Sequence, residues 1–224
     1  MRVLEYGPGC NTEQFIKSLV CQQVVSVEDN AGWYEKFAPI VESAQGIDID
    51  YRLIEVKSEE GKAYLGGHCW TESEILEYCE YPLKYGPGYF DIIFVDAGDR
   101  QDEVTIKGRT YPGCPVRNIC LELAHTLLAD QGVVVLHDVP GPFPTMNRSL
   151  ATPIQTFSIV KSFPQVCTTL LSNSLNLDEL EGFIASLYPQ KTVQDSLKTE
   201  MPSTPESSPP ASYTHLTLPT NLVV

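Results

Sequence analysis

No apolar run in this chain of 224 residues approaches the roughly 20 residues that a membrane-spanning helix needs; the longest, GVVVLHDV at 132–139, is far shorter. The N-terminus also lacks the basic region and apolar stretch of a secretory leader. These two absences predict a soluble, cytoplasmic protein with no membrane partner. Basic residues are scarce: 15 Lys and Arg stand against 29 Asp and Glu, a net charge of −14. Such a charge repels the phosphates of nucleic acid and anionic lipid, which leaves a small molecule or another protein as the expected partner. None of the seven cysteines sits in a CxxC pair and their number is odd, so reduced thiols fit better than a disulfide framework or a zinc site.

What is present is a hydrophobic content of 42%, enough for one sizeable core, arranged in a regular alternation. VLEY (3–6) reads as a short strand entering a glycine turn. Asn11 and Gln14 resemble a capping box that opens a helix running to about Val20, with Phe15, Ile16 and Leu19 inward. QVVSVED (23–29) is a second strand, and AGWYEKFAPIVES a second helix, shortened or kinked at Pro39, whose Trp33, Tyr34 and Phe37 are expected in the core. DYRLIEV (50–56), YFDIIFVDAG (89–98) and GVVVLHDV (132–139) read as further strands, with a helix from Val116 to Ala129 before the last. Strands alternating with helices predict an α/β fold: a doubly wound, mostly parallel, Rossmann-like sheet.

Two stretches break the rhythm. Residues 57–88, with the acidic amphipathic ESEILEYCEY, read as insertion more than element. Beyond Val139, PGPFP is irregular, TFSIVKSF reads as helix or strand, QVCTTLLS as a closing strand and LDELEGFIASLY as a short helix. The expected organisation is one domain over 1–188 and a disordered Ser/Thr/Pro-rich tail over 189–211. Residues 212–224 read as non-native, because SYTHLTLPTN resembles the translated end of a sequencing adapter. The start at the first strand then fits either a minimal domain or one whose front is cut away.

Ligands of a parallel sheet bind at the carboxyl ends of its strands. At the first, Gly7-Pro8-Gly9 turns the chain tightly and aims helix amides into the crevice. A nicotinamide site would continue as GxGxxG, but position 12 is Thr. Glu5, ahead of the glycines, would repel a pyrophosphate and suits a ligand carrying an ammonium or sulfonium group. Glu28 and Asp29 end the second strand, where an acid accepts hydrogen bonds from ribose hydroxyls, although Asp29 or Asn30 could equally cap the next helix.

LEYGPGCNT, SVEDNAGWYEKF, FDIIFVDAG and LLADQGVVVLHDV, in this order, resemble class I S-adenosylmethionine-dependent methyltransferases over residues 2–140. The resemblance implies that Glu5, Tyr6, Gly7 and Gly9 hold the methionine part of S-adenosylmethionine, that Glu28 and Asp29 hold the ribose, and that Asp96 adds to the cofactor site. VKSEE (56–60) matches no adenine motif, so the base has no assigned residues.

Asp96 and Asp138, ending neighbouring strands, could converge on Mg2+, as in catechol-type O-methyltransferases, or could simply orient loops. That subgroup has Asp-Asn where this chain has Asp138-Val139, so a ligand is missing. His137 is a candidate base for a substrate hydroxyl, with Asp96 the next candidate, against a purely structural role. In the loop from Gly98 to Cys120, Arg100, Arg109 and Arg117 concentrate positive charge; Arg100 and Arg117 are candidate clamps for the substrate, unless they merely offset nearby acids. The sequence thus predicts a methyltransferase for a small-molecule acceptor, with O-methylation favoured. The alternatives are a non-catalytic binding or scaffold protein of the same fold and, further off, a nicotinamide-dependent oxidoreductase.

Overall fold

Alternate apolar residues on the central strands face opposite sides of the sheet, and both sides are covered. In a computed structural model of the chain, which describes residues 1–18, 20–55, 70–97, 104–111, 113–140, 144–164 and 167–174, β1 (Arg2–Tyr6) lies between β2 (Gln23–Glu28) and β4 (Phe90–Val95). Leu4, Tyr6, Val25, Val27, Ile93 and Val95 pack on one face with Val134 and Leu136; Val3, Val24, Ile92 and Phe94 pack on the other with Val135 and Leu170. A strand buried on both faces needs the near-continuous apolar run seen here.

Seven strands are ordered β3-β2-β1-β4-β7-β9-β8, with β3 at Asp48–Leu53, β7 at Leu128–His137, β8 at Ile159–Phe163 and β9 at Thr168–Ser172. The strands from β3 to β7 are parallel, while β9 runs antiparallel to both β7 and β8. This is the α/β, Rossmann-like arrangement expected from the sequence. The order reverses between β1 and β4, and a crevice opens at such a point, at the carboxyl ends of the strands.

Helices α1 (Cys10–Lys17), α2 (Ala31–Glu42), α3 (Glu72–Glu80) and α4 (Pro115–Leu127) connect the parallel strands, and α5 (Pro144–Gln155) follows β7. Several expectations need correction. The first helix is capped by Gly9 and Thr12 rather than by Asn11, and it stops at Lys17. Pro39 lies inside α2 without ending it, since the helix continues to Glu42. Of the three aromatics on α2 only Phe37 is core; Trp33 is 40% exposed, stacked on Phe37 beneath the Lys36 ammonium. ESEILEYCEY is not an insertion: α3 opens on a Thr71–Glu74 capping box and buries Ile75, Tyr78 and Cys79. TFSIVKSF holds a strand, while the hairpin of β5 (Val104–Ile106) with β6 (Arg109–Tyr111), and α5, were not expected. LDELEGFIASLY, the tail and the adapter-like segment lie outside the described residues. Among the described residues Cys21, Cys79, Cys114, Cys120 and Cys167 carry free thiols, and no helix is long and apolar enough to cross a membrane.

Candidate functional site

The first strand delivers Glu5 to the crevice as a fully buried residue. Its Oε2 accepts hydrogen bonds from the Thr12 hydroxyl at 2.6 Å and the Ser26 hydroxyl at 3.0 Å. Its Oε1 is buried and has no partner. Burial pushes the carboxyl up to about 8 and the nearby Asp96 charge adds to the rise, while the Thr12 and Ser26 hydrogen bonds oppose it. Thr12, which broke the nicotinamide pattern, also accepts from the Gly9 amide at 3.0 Å, so one hydroxyl ties the glycine loop to the buried acid.

The two glycines do different jobs. Gly7 has φ +85°, and a Cβ there would stand 2.9 Å from the Asp96 carbonyl oxygen and 3.1 Å from its carbon; β1 and β4 approach too closely for any side chain. Gly9 has extended backbone, and a Cβ there would meet nothing within 4 Å. The loop therefore leaves open space at Gly9. Tyr6 contributes only backbone at this edge, because its side chain is buried and its hydroxyl donates to the Cys79 carbonyl at 2.9 Å.

At the end of β2, Glu28 is buried and Asp29 nearly so. Glu28 Oε1 accepts from the amides of Asp29 at 3.0 Å and Asn30 at 2.7 Å. Burial and then the Asp29 charge push the Glu28 carboxyl up to about 9. The cap of α2 is Asn30, whose side chain accepts from the Trp33 amide at 3.1 Å, so Asp29 is not the capping residue.

The ends of β4 and β7 bring Asp96, His137 and Asp138 together, with candidate ligand atoms all within 4.8 Å of one another. His137 Nδ1 lies 3.1 Å from Asp96 Oδ1 and 3.6 Å from Asp138 Oδ1. Burial pulls the imidazole down, but the hydrogen bond and charge of Asp96 and the charge of Asp138 outweigh it and hold His137 above its ordinary value.

Arg117 stands behind this trio. Its side chain is 4% exposed; Nη2 lies 3.2 Å from Asp96 Oδ1 and 3.7 Å from Asp138 Oδ2. Nε and Nη1 donate to the carbonyls of Ala97 and His137, one at each strand end. A guanidinium turned inward onto protein acceptors is a strut, not a substrate clamp, which corrects the sequence reading of Arg117. Arg109 pairs with Glu122 at 2.7 Å, and Arg100 lies outside the described residues.

This geometry also bears on Mg2+. The trio has the spacing of a cation site, but a fixed positive charge already contacts both carboxylates, and position 139 is a buried valine with no ligand to offer. A hard divalent ion needs more oxygen ligands and no adjacent cation. The residues present do not fit Mg2+. They are compatible with a ligand carrying an ammonium group at Glu5, because the buried oxygen there lacks a donor.

No family model matches the chain, and no curated protein matches it. Among solved structures it is similar to a methyltransferase-like protein of Silicibacter pomeroyi, at 15% identity over 83% of this chain and 86% of that one, with a TM-score of 0.47. It is also similar to the YcgJ protein of Bacillus subtilis (16% identity, 60% of this chain, 42% of that one, TM-score 0.31) and to the PH0226 protein of Pyrococcus horikoshii (14% identity, 83% of this chain, 71% of that one, TM-score 0.31). The assignment of the fold rests on the strand order, not on these likenesses.

Proposed function

We propose that the crevice binds S-adenosylmethionine and that the protein methylates a small acceptor, with a hydroxyl favoured. The observation that carries this reading is Glu5: a fully buried carboxyl with one oxygen lacking a donor, raised to about 8 by burial. Its ionised form is costly unless a cation pairs with it. The ammonium of a methionyl group supplies that cation, whereas a dinucleotide pyrophosphate would worsen the repulsion. This also sets the oxidoreductase reading aside.

When bound, the cofactor supplies a methyl group on a positively charged sulfur. Glu5 would hold its amino group, the Gly7 turn would let the backbone come close, and Glu28 would hold the ribose hydroxyls. On the acceptor side, His137 Nδ1 donates to Asp96 Oδ1 when the ring is neutral, which leaves Nε2 as the atom that takes the hydroxyl proton. Asp96 and Asp138 then stabilise the imidazolium, and Arg117 keeps both carboxylates in place. The rest of the rate comes from aligning the acceptor.

Calorimetric titration with S-adenosylhomocysteine tests the reading. Wild-type protein is expected to bind, and Glu28→Ala and Glu5→Ala are each expected to weaken binding by about 1.5–3 kcal/mol, the range for hydrogen bonds to charged groups. No binding by the wild type, or binding indifferent to both changes, sinks it.

A further inference from the structure

Two cysteines from different helices meet in the core. Cys79 is on α3 and Cys120 on α4, and both side chains are buried. The Cys120 thiol donates to Cys79 Sγ at 3.7 Å, and the Cys79 thiol donates to the Val116 carbonyl of α4, also at 3.7 Å. An S–S bond is roughly 2.0 Å long, so a small approach of two helices that already pack on each other would join the sulfurs. Thiols are weak hydrogen-bond donors and do little to hold such a pair in its reduced form.

The β5–β6 hairpin lies against this pair. Its Ile106 and Tyr111 are buried in the same cluster as the two cysteines. Burial, the Glu122 charge and, more weakly, the charge of Cys79 raise the Tyr111 phenol, which places the end of β6 near Cys79. The polar fastenings of the hairpin are exposed: Lys107 pairs with Glu80 at 2.7 Å, its amide donates to Glu72 at 2.8 Å, and Arg109 pairs with Glu122. Exposed ion pairs contribute little, so this edge of the fold can open locally while the sheet stays intact. Both helices also touch the strand ends. The Cys79 carbonyl accepts from the Tyr6 hydroxyl of β1 at 2.9 Å, and Arg117 precedes Cys120 by one turn of α4.

We infer that Cys79 and Cys120 are a modification site, where hydrogen peroxide joins the two thiols in a reversible disulfide that locks α3 to α4. Cys79 Sγ, which already receives the Cys120 S–H, loses its proton and attacks one peroxide oxygen; the O–O bond breaks and the other oxygen leaves with that proton as water. Cys120 Sγ then attacks the sulfenic acid so formed; the S–O bond breaks and the hydroxyl leaves with the Cys120 proton as a second water. The two thiols together lose two electrons, and one peroxide is reduced to two waters. The adjacent thiol stops Cys79 short of sulfinic acid, the irreversible step. The inference is independent of the cofactor reading.

The test treats the full chain, reduced and freed of reductant, with hydrogen peroxide in native buffer. Its mass is expected to fall by two hydrogens, a digest to yield a peptide pair joined through Cys79 and Cys120, and dithiothreitol to restore both thiols. Amide exchange in α3 and α4 is expected to slow about tenfold or more in the oxidised protein, because the bond restrains the opened state. In Cys120→Ala the resolving thiol is gone, and dimedone is expected to trap Cys79 as its sulfenic acid. The inference is overturned if both thiols survive in native buffer and oxidise only in denaturant, if peroxide adds oxygen to either sulfur of the wild type instead of joining them, or if the disulfide maps to another pair among the seven cysteines. Unchanged exchange in both helices would overturn the lock. The mapping is made on wild-type protein, so it decides the matter even if Cys120→Ala does not fold.

Discussion

Two pairs of acids stand at one sheet edge and are treated in opposite ways. Asp96 and Asp138, at the ends of β4 and β7, have the Arg117 guanidinium against both of them and an imidazole beside them. Glu5 and Glu28, at the ends of β1 and β2, are more deeply buried and accept hydrogen bonds from hydroxyls and amides; Glu5 retains an oxygen with no partner. The first pair is complete as it stands and can hold a proton-transfer group. The second is incomplete, and both of its carboxyls rise far above the ordinary carboxylate range. The difference shows where the proposed cationic ligand is to be tested: at the acids that meet no countercharge among the described residues.

Removing the countercharge from the complete pair should produce the largest effect. Arg117→Met leaves two carboxylates and two strand-end carbonyls without their buried donor, and the expected loss is about 3–5 kcal/mol of stability, seen as a fall in the denaturant midpoint. The same variant should gain Mn2+ binding that the wild type lacks, detectable by paramagnetic relaxation. Mn2+ bound by wild-type protein and lost in Asp96→Asn would show that the pair was never complete. Next in size is Gly7→Ala, which places a Cβ 2.9 Å from a backbone oxygen at φ +85°. About 2–3 kcal/mol of stability should go, together with S-adenosylhomocysteine binding. Gly9→Ala, with nothing within 4 Å of its Cβ, should keep the stability and lose only the binding. Equal thermal stability of the two variants would remove the distinction drawn between the glycines.

The parallel half of the sheet was legible because its strands are buried on both faces and written as unbroken apolar runs, from VLEY to GVVVLHDV. Glu5 was legible as a candidate because a carboxylate beside a glycine turn is unusual in any phosphate site. What the sequence concealed depends on distant residues. Arg117 is on α4 and meets Asp96 and Asp138 only once β4 and β7 are adjacent, so its loop context suggested a substrate clamp instead. The Trp33 and Phe37 pattern matched a core face, yet only the fold shows that Trp33 is exposed. The short acidic α3 hid its core role because Glu72, Glu74 and Glu77 dilute the apolar triplet Ile75, Tyr78 and Cys79. Ser26 offered no local signal; its hydroxyl reaches Glu5 because the two residues are register partners in adjacent strands.

The response to pH separates the pairs as well. Glu5 has its carboxyl raised from 4.5 to about 8 in the folded chain, so the native state holds a proton that the unfolded state has released. Its contribution is fully present below about pH 4.5 and disappears as the pH climbs towards 8. Glu28 behaves alike up to about 9. Stability should therefore decline across this window, each group accounting for at most about 1.4 kcal/mol per pH unit. Glu5→Gln removes one share of that slope: its melting temperature should lie close to the wild type at pH 5 and above it at pH 8. An ammonium ligand acts in the other direction, because it pairs only with ionised Glu5. Binding of S-adenosylhomocysteine should then tighten as the pH rises from 6 to 8 and release a proton, seen as a calorimetric heat that varies with the ionisation enthalpy of the buffer. Glu5→Gln should lose that buffer dependence. If it persists in Glu5→Gln, the proton comes from another group, and the unpaired oxygen of Glu5 is not where the cation binds.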